Sequence, residues 1–351
     1  FSPIATTGTG GSITIAGTST AAGVNGDAVV GRDSAMSTMG DAAFISITGN
    51  SSSDEGLQLT RSGLSTTGST APVTILATTT GTDALANGFL ADLSAISTTG
   101  DNSPISITGN TAGAEGAVFT RDSDVSVAGA ATATITISGT TTGANGADGV
   151  RIDSDGDDVT FTSAAGAIAI TGTASGTSGD GVEIESGIGT AIDANGGATI
   201  TITGTGDESE QAVQIDSPIS SETGTVTIRS NAGDSDNDDI IFGAGGDITS
   251  TSGTVTIDAE NTDNTADVIM ADGSVIDAGT GLIDIDADVD ILLASLVTTT
   301  EVQATAVAGS ILDNPDAGDT NVDITAATAA LRAETGIGTD SDPLETASDA
   351  T

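Results

Sequence analysis

Two acidic runs carry the residue types best suited to chemistry in this chain. Each run places an Asp at every second position: Asp153, Asp155 and Asp157 in one, and Asp234, Asp236 and Asp238 in the other. Alternating carboxylates are the ligands of calcium loops, although neither run has the central Gly or the closing Glu of an EF-hand loop. The runs therefore predict calcium as a possible cofactor, with solvated acidic corners as the alternative.

The composition argues against most other chemistry. The chain has 351 residues with 50 Asp and Glu, six Arg, no Lys, no His, no Cys, no Trp and no Tyr. A glycosidase would use a carboxylate pair, usually in an aromatic-lined cleft, and most general bases are missing here. A net charge of −44 opposes binding to nucleic acid. We therefore expect no enzyme, no nucleic-acid partner and no membrane span.

Three arginines recur at a fixed position and suggest ion pairs. Arg61, Arg121 and Arg151 each lie 14 residues after the second apolar residue of a strand described below. With Asp33 and Asp122 nearby, the favoured interpretation is pairing with acidic residues locally or in a neighbouring repeat. Ligand recognition is the alternative.

Alternating threonines form the last candidate feature. Thr199, Thr201 and Thr203 exemplify rows that resemble the flat faces of ice-binding solenoids, but Ala and Asp interrupt the array. Thr also suits any exposed strand position, which is the favoured interpretation.

An internal repeat determines how these residues are positioned. Pairs of β-branched residues alternate with small polar ones and recur on average about every 30 residues. They are Ile13/Ile15, Ile45/Ile47, Val73/Ile75, Ile105/Ile107, Ile135/Ile137, Ile168/Ile170, Ile200/Ile202, Val226/Ile228, Val255/Ile257 and Ile283/Ile285. A weaker strand precedes each pair and another follows it, so each repeat holds three short strands.

Such a unit is too small to bury its own apolar face, so the repeats must stack. The sequence predicts an all-β, single-stranded parallel β-helix, or β-solenoid, with three strands per turn. Residues 1–299 are predicted to form about ten turns, and residues 300–351 a less regular continuation with a C-terminal tail. Within IDIDADVDILL (residues 283–293), the aspartates are predicted to share the outward face as far as Asp290.

Several segments carry a family resemblance. SAISTTGDNSPISITGN, GADGVRIDS and AIAITGTASGTSGDGVEIES resemble the repeat regions of filamentous-haemagglutinin-like bacterial exoproteins and related giant β-strand-repeat surface proteins. The resemblance implies a right-handed β-helix, export to the cell surface or medium, and an adhesive or filament-forming role.

The leading hypothesis is a structural protein, a stiff acidic rod or filament segment outside a bacterial cell. We expect it to associate end to end or to continue in a longer chain. The alternative is an adhesin whose variable corner loops bind a surface, a polysaccharide or a host ligand.

Overall fold

The protein is a parallel β-solenoid, as predicted. The computed structural model describes residues 3–20, 26–129, 133–143, 146–176, 178–185, 191–206, 210–231, 239–260, 264–314, 322–339 and 343–347. These residues form three parallel sheets, and none of them lies in a helix. The chain visits the sheets in turn, so each coil contributes one strand to each sheet.

We name the sheets upstream, central and downstream after their order within a coil. The upstream sheet contains β1 (Ile4–Thr7), β4 (Ala35–Met39), β7 (Gly63–Thr67), β10 (Ala95–Thr98), β13 (Ser123–Val127), β16 (Val159–Ser163), β19 (Ala191–Ala194), β22 (Ile219–Ser221), β25 (Ile248–Ser250), β28 (Val275–Gly279), β31 (Ser295–Thr298), β34 (Ile324–Thr325) and β37 (Thr346–Ala347).

The central sheet contains β2 (Ile13–Ser19), β5 (Ile45–Ser51), β8 (Val73–Thr79), β11 (Ile105–Thr111), β14 (Ile135–Thr141), β17 (Ile168–Ala174), β20 (Ile200–Thr205), β23 (Val226–Ser230), β26 (Val255–Ala259), β29 (Ile283–Ala287), β32 (Glu301–Ala306) and β35 (Thr328–Ala333). The first ten of these strands hold the predicted apolar pairs.

The downstream sheet contains β3 (Val29–Arg32), β6 (Leu57–Thr60), β9 (Phe89–Asp92), β12 (Ala117–Thr120), β15 (Val150–Asp153), β18 (Val182–Ile184), β21 (Val213–Ile215), β24 (Ile240–Phe242), β27 (Val268–Met270), β30 (Ile291–Leu293), β33 (Ser310–Asp313) and β36 (Gly336–Ile337).

The apolar pairs stack in register from coil to coil. Ile135 pairs with Ile168, which in turn pairs with Ile200. This register holds from Ile13 in β2 to Val302 in β32, which gives about 29 residues per coil and confirms the predicted period. Because side chains alternate across a strand, one residue of every two faces the interior and is removed from water.

The interior is filled by aliphatic columns and a short aromatic stack. Phe89, Phe119 and Phe161 are fully buried, with successive ring centroids 5.5 and 5.0 Å apart. The second pair is edge-to-face, a favourable arrangement for aromatic rings. Where the chain turns toward the downstream sheet, the interior is too narrow for a methyl group. A Cβ at Gly172 would lie 1.7 Å from the carbonyl oxygen of Gly181.

Buried hydroxyl groups stabilise the corners, which the sequence analysis did not anticipate. The Thr98 hydroxyl donates to the Ser103 carbonyl at 2.6 Å, and the Thr141 hydroxyl donates to the Ala114 carbonyl at 2.7 Å. Both threonines are almost completely buried. Backbone groups that leave the strand ladder at a corner need other partners, and these side chains supply them.

One predicted alternation is wrong. Asp284 and Asp286 face outward as expected, but Asp288 is only 5% exposed. The strand ends at Ala287, and the chain then turns the corner into β30. Turning a corner breaks the two-residue period, so the later aspartates do not share the outward face.

Candidate functional site at an acidic corner

A ladder of acidic side chains lies at the corner between the central and downstream sheets. Asp148 Oδ1 accepts the backbone N–H of Asp180 at 2.9 Å, and Asp180 Oδ1 accepts that of Gln211 at 2.9 Å. The same bond recurs later in the chain. The backbone N–H groups of Asp267, Asp290 and Ser310 donate to the Oδ1 atoms of Asp239 (2.9 Å), Asp267 (2.7 Å) and Asp290 (2.6 Å), respectively. Each carboxylate therefore holds the next coil at this corner.

The sequence contains a local signal for this ladder. Asp148 and Asp180 each precede a Gly-Val pair that opens a downstream strand. Asn87 occupies the equivalent position two coils before Asp148, and its Oδ1 accepts the N–H of Glu115 at 3.1 Å. The Asp or Asn directly before Gly at the start of β9, β15 and β18 is a sequence signal for a side-chain ladder.

Three acidic side chains at this ladder lie close together and form the first acidic group. Carboxylate oxygens of Asp148, Asp180 and Glu183 lie within 4.8 Å of one another. Asp148 and Asp180 are 5% and 6% exposed, and Glu183 projects outward from β18. They line an open cleft of about 310 Å³ that Gln211 and Gln214 also border. Side-chain oxygens of these types are the donors that hard cations prefer, so this group could hold a cation such as Ca²⁺.

The electrostatics of the cleft favour proton retention. Burial raises the pKa of Asp148 to about 9, and the nearby Glu183 carboxylate adds to the shift. Arg151 offsets part of the negative charge. Its guanidinium lies 3.4 Å from a Glu183 carboxylate oxygen and 3.6 Å from one of Glu115, and it also pairs with Glu185. Burial also raises the pKa of Glu185 to about 7, although Arg151 acts in the opposite direction. At neutral pH this cleft is therefore a place where a proton or a cation stabilises crowded carboxylates.

A second acidic group lies at the same corner in the first coils. Asp27, Asp54 and Glu55 have carboxylate oxygens within 4.8 Å of one another. The backbone N–H of Gly26 donates to Asp54 Oδ2 at 3.2 Å. Burial raises the pKa of Glu55 to about 9, and hydrogen bonding to Asp54 and Asp27 adds to this.

A third group lies at the corner between the downstream and upstream sheets. It consists of Asp313, Asp323 and Glu345, again with oxygens within 4.8 Å. The backbone N–H of Glu345 donates to Asp323 Oδ2 at 2.7 Å. Burial raises the pKa of Asp323 to about 7.

The structure places the predicted calcium residues elsewhere. Asp153 Oδ2 lies 3.5 Å from Arg151, and Asp153 Oδ1 accepts the N–H of Asp155 at 2.8 Å. Asp155 and Asp157 are exposed, and none of the three belongs to the acidic groups above. Asp234, Asp236 and Asp238 lie outside the described residues. Calcium binding stays a prediction, and the carboxylates that lie close enough together to share a cation are those of the three acidic groups.

The arginine prediction is confirmed, with one correction. Arg61 Nε pairs with Asp33 at 2.5 Å and Arg121 with Asp92 at 2.6 Å, both across adjacent coils. These two arginines occupy the corner after a downstream strand, each with a positive φ. Arg151 instead lies within β15, because the loop that precedes this strand is longer. Equal sequence spacing therefore did not mean an equal position.

Neither a membrane-spanning helix nor a similar known protein helps to assign a function to these acidic groups. In the part of the chain that the structure describes, no helix is long and apolar enough to cross a membrane. Comparison of the chain with models of known protein families, with curated proteins and with solved structures finds no match in any of the three.

Proposed function

We propose that this chain is a structural protein that forms a stiff acidic rod or filament segment outside a bacterial cell. The observation that carries the proposal is the continuity of the three sheets. Within the described residues, each strand pairs in parallel with its counterpart in the next coil, from β1 through β37. A stack joined by three hydrogen-bonded ladders resists bending in every direction.

Packing and charge support the same role. The twelve strands of the central sheet correspond to a rod of roughly 55 Å at about 4.8 Å per strand. Its interior is closely packed, and its net charge of −44 keeps separate rods soluble. The resemblance to filamentous-haemagglutinin-like repeats supports an extracellular location. We propose no catalytic role.

The proposal includes extension of the rod along its axis. Within the described residues, β2 and β35 each pair with one neighbour, so the central sheet can accept a further strand at either edge. The added strand would come from a further stretch of the same chain or from a second copy joined head to tail.

Electron microscopy of the purified chain tests the proposal directly. We expect continuous rods whose length corresponds to the number of stacked coils, together with slow cleavage by proteases of broad specificity. Separate globular beads, or rapid cleavage throughout the chain, would overturn it.

A second candidate function is adhesion, and one observation favours it. The clefts beside Asp148 and beside Glu55 both lie at the central–downstream corner, where the connections between strands range from two to nine residues. Loops that vary on a constant scaffold are common binding elements. The partner would be a surface, a polysaccharide or a host ligand.

One loop exchange distinguishes the two functions. Residues 142–149 between β14 and β15 would be shortened to match residues 112–116 between β11 and β12. A structural rod should keep its length and its axial assembly after this change. An adhesin should keep its fold but lose binding to insoluble polysaccharide or to cells.

A further inference from the structure

One broad surface of this acidic protein carries no charge. It consists of the outward-facing residues of β2, β5, β8, β11, β14, β17 and β20, and we call it the neutral face. Alternate residues of these strands project outward, as Thr136, Ser138 and Thr140 do in β14. Among the outward positions of these seven strands there is no Asp, Glu or Arg, and Thr, Ser and Asn predominate. The first outward charge on this sheet is Arg229, in β23.

The other outward surfaces differ. Arg151 and Glu183 project from the downstream sheet, and Asp124 and Asp193 project from the upstream sheet. Among the described residues, the outward positions of the upstream sheet are also uncharged from β1 to β10, but the central sheet is the one that stays uncharged across seven successive coils of a chain with 50 acidic residues.

Apolar side chains lie on the neutral face and along its border. Leu76 projects outward from β8 and is 41% exposed. Phe44, immediately before β5, is 37% exposed. Pro72 and Pro104 occupy the equivalent positions in the next two coils, as shown by the Ile45 N–H bond to Pro72 and the Val73 N–H bond to Pro104. Depletion of charge around exposed aromatic and aliphatic groups is typical of the centre of a protein interface.

The size of the face suits a pair of rods. Seven strands at about 4.8 Å span roughly 34 Å, and about six residues at 3.3 Å span roughly 20 Å. Two such faces together would bury roughly 1,400 Å², which lies within the range of stable protein interfaces.

Electrostatics favours a second copy of this chain as the partner that binds the neutral face. Two copies of this chain repel wherever carboxylates face carboxylates, but the neutral face lets them approach without such contacts. The carboxylates that border it, such as Asp41 and Asp83, lie at the corners, where physiological salt screens charges beyond about 8 Å. We propose that a second copy of this chain docks here, so that two rods associate side by side through their neutral faces about a two-fold axis.

Sedimentation of the full chain tests the proposal. We expect a dimer whose dissociation constant decreases as NaCl is raised, because salt screens the remaining repulsion between the rods. The double variant Thr136→Asp, Thr201→Asp places carboxylates on two strands of the neutral face, β14 and β20, and should weaken the dimer by about tenfold or more. Leu76→Ala should weaken it less.

Matched controls separate the interface from general charge effects. Ser97→Asp and Thr162→Asp add the same charge to outward positions of the upstream sheet and should leave the dimer unchanged. Circular dichroism verifies that each variant keeps its sheets. A wild-type chain that stays monomeric at every concentration and salt level overturns the proposal.

Other results also overturn it. These are dimers insensitive to the Thr136→Asp, Thr201→Asp change, or a monomer that uses the neutral face to bind insoluble polysaccharide or ice. The inference does not depend on the proposed extracellular role, because rods seen as monomers would refute the pairing and leave the rod intact.

Discussion

The central sheet has two parts that share an interior and differ in their exterior. From β2 to β20 the outward positions are neutral, whereas β26 and β29 present Asp258, Asp284 and Asp286. The first two inward positions of each strand in both parts are β-branched aliphatics in the same register, such as Ile202 and Ile285. The fold therefore depends on the inward residues, and the outward residues are free to carry hydroxyl groups or carboxylates.

The acidic part accommodates like charges at close range. Asp258 and Asp286 are direct neighbours on adjacent strands. Burial raises the pKa of Asp258. The Arg229 guanidinium opposes this shift, and the Asp286 carboxylate adds to it. Burial also raises the pKa of Asp284, and Asp286 and Asp258 add to the shift. The neutral part has no such opposition, so the two parts should respond differently to pH and to charge substitutions.

The largest predicted effect tests whether the two interiors are equivalent. Ile202→Ala and Ile285→Ala each remove a fully buried side chain, and each should lower the free energy of unfolding by about 3 kcal/mol. Denaturant unfolding measures both. The outward neighbour Thr201→Ala serves as a control and should change stability by less than about 0.5 kcal/mol. A much smaller loss at Ile285 would show that the acidic part is not packed like the neutral part.

The second prediction concerns pH. A carboxyl group whose pKa is raised on folding holds a proton that the unfolded chain has released, so stability falls as pH rises through the interval between the two pKa values. For Asp148 that interval runs from its ordinary value of 3.8 to about 9. We expect the chain to be more stable at pH 5 than at pH 9 by at least about 2 kcal/mol.

Two variants locate the origin of this pH dependence. Asp148→Asn removes one titrating group and can keep the bond to the Asp180 N–H, as Asn87 does in an earlier coil. It should flatten the profile measured by thermal unfolding. Asp284→Asn should flatten it locally, as seen by hydrogen exchange in β29 but not in β14. Identical profiles for the wild type and both variants would contradict the prediction.

Substitutions that exchange charged and uncharged outward residues between the two parts of the central sheet should have a smaller effect on stability. Asp284→Thr with Asp286→Thr should stabilise the acidic part by about 1 kcal/mol, because the change removes repulsion across adjacent strands. Ser138→Asp with Thr171→Asp, which places like charges directly opposite each other on β14 and β17, should destabilise the neutral part by a similar amount. Both are measured by denaturant unfolding at concentrations low enough to keep the chain monomeric. Equal effects of the same sign would mean that charge does not distinguish the two parts.

The smallest prediction concerns calcium. Ca²⁺ should raise the melting temperature by a few degrees, because it binds the native carboxylates in preference to the unfolded chain, and a chelator should reverse the change. Mg²⁺ at the same concentration is the control for general screening. Asp148→Asn should reduce the shift more than Asp155→Asn does. A melting temperature unchanged by Ca²⁺ would remove the metal hypothesis.

Much of the fold was predictable from the chain alone. The paired apolar positions from Ile13 to Ile285 gave the strands, their inward faces and the period of the coils, because side-chain alternation is a local property of a β-strand. The same reasoning failed at Asp288, where the chain turns, and at Arg151, where an inserted loop changed the meaning of a constant spacing.

Strand alternation did not predict the acidic corner, and the Asp-Gly signal before β15 and β18 does not say which carboxylates meet. Asp148 and Asp180 lie 32 residues apart in sequence, and their contact depends on two coils stacking in register. The alternating Asp153, Asp155 and Asp157 looked more like a cation loop, but a local turn leaves Asp155 and Asp157 exposed.

The inward-facing residues follow from the two-residue period of a strand, and the number of coils follows from how often the apolar pairs recur, so both can be read from the chain. Which carboxylates meet at a corner, and which uncharged residues join into one face, depends on the stacking of the coils. Those groupings run along the rod from coil to coil, and they arise from stacking and loop length between residues that are distant in the chain.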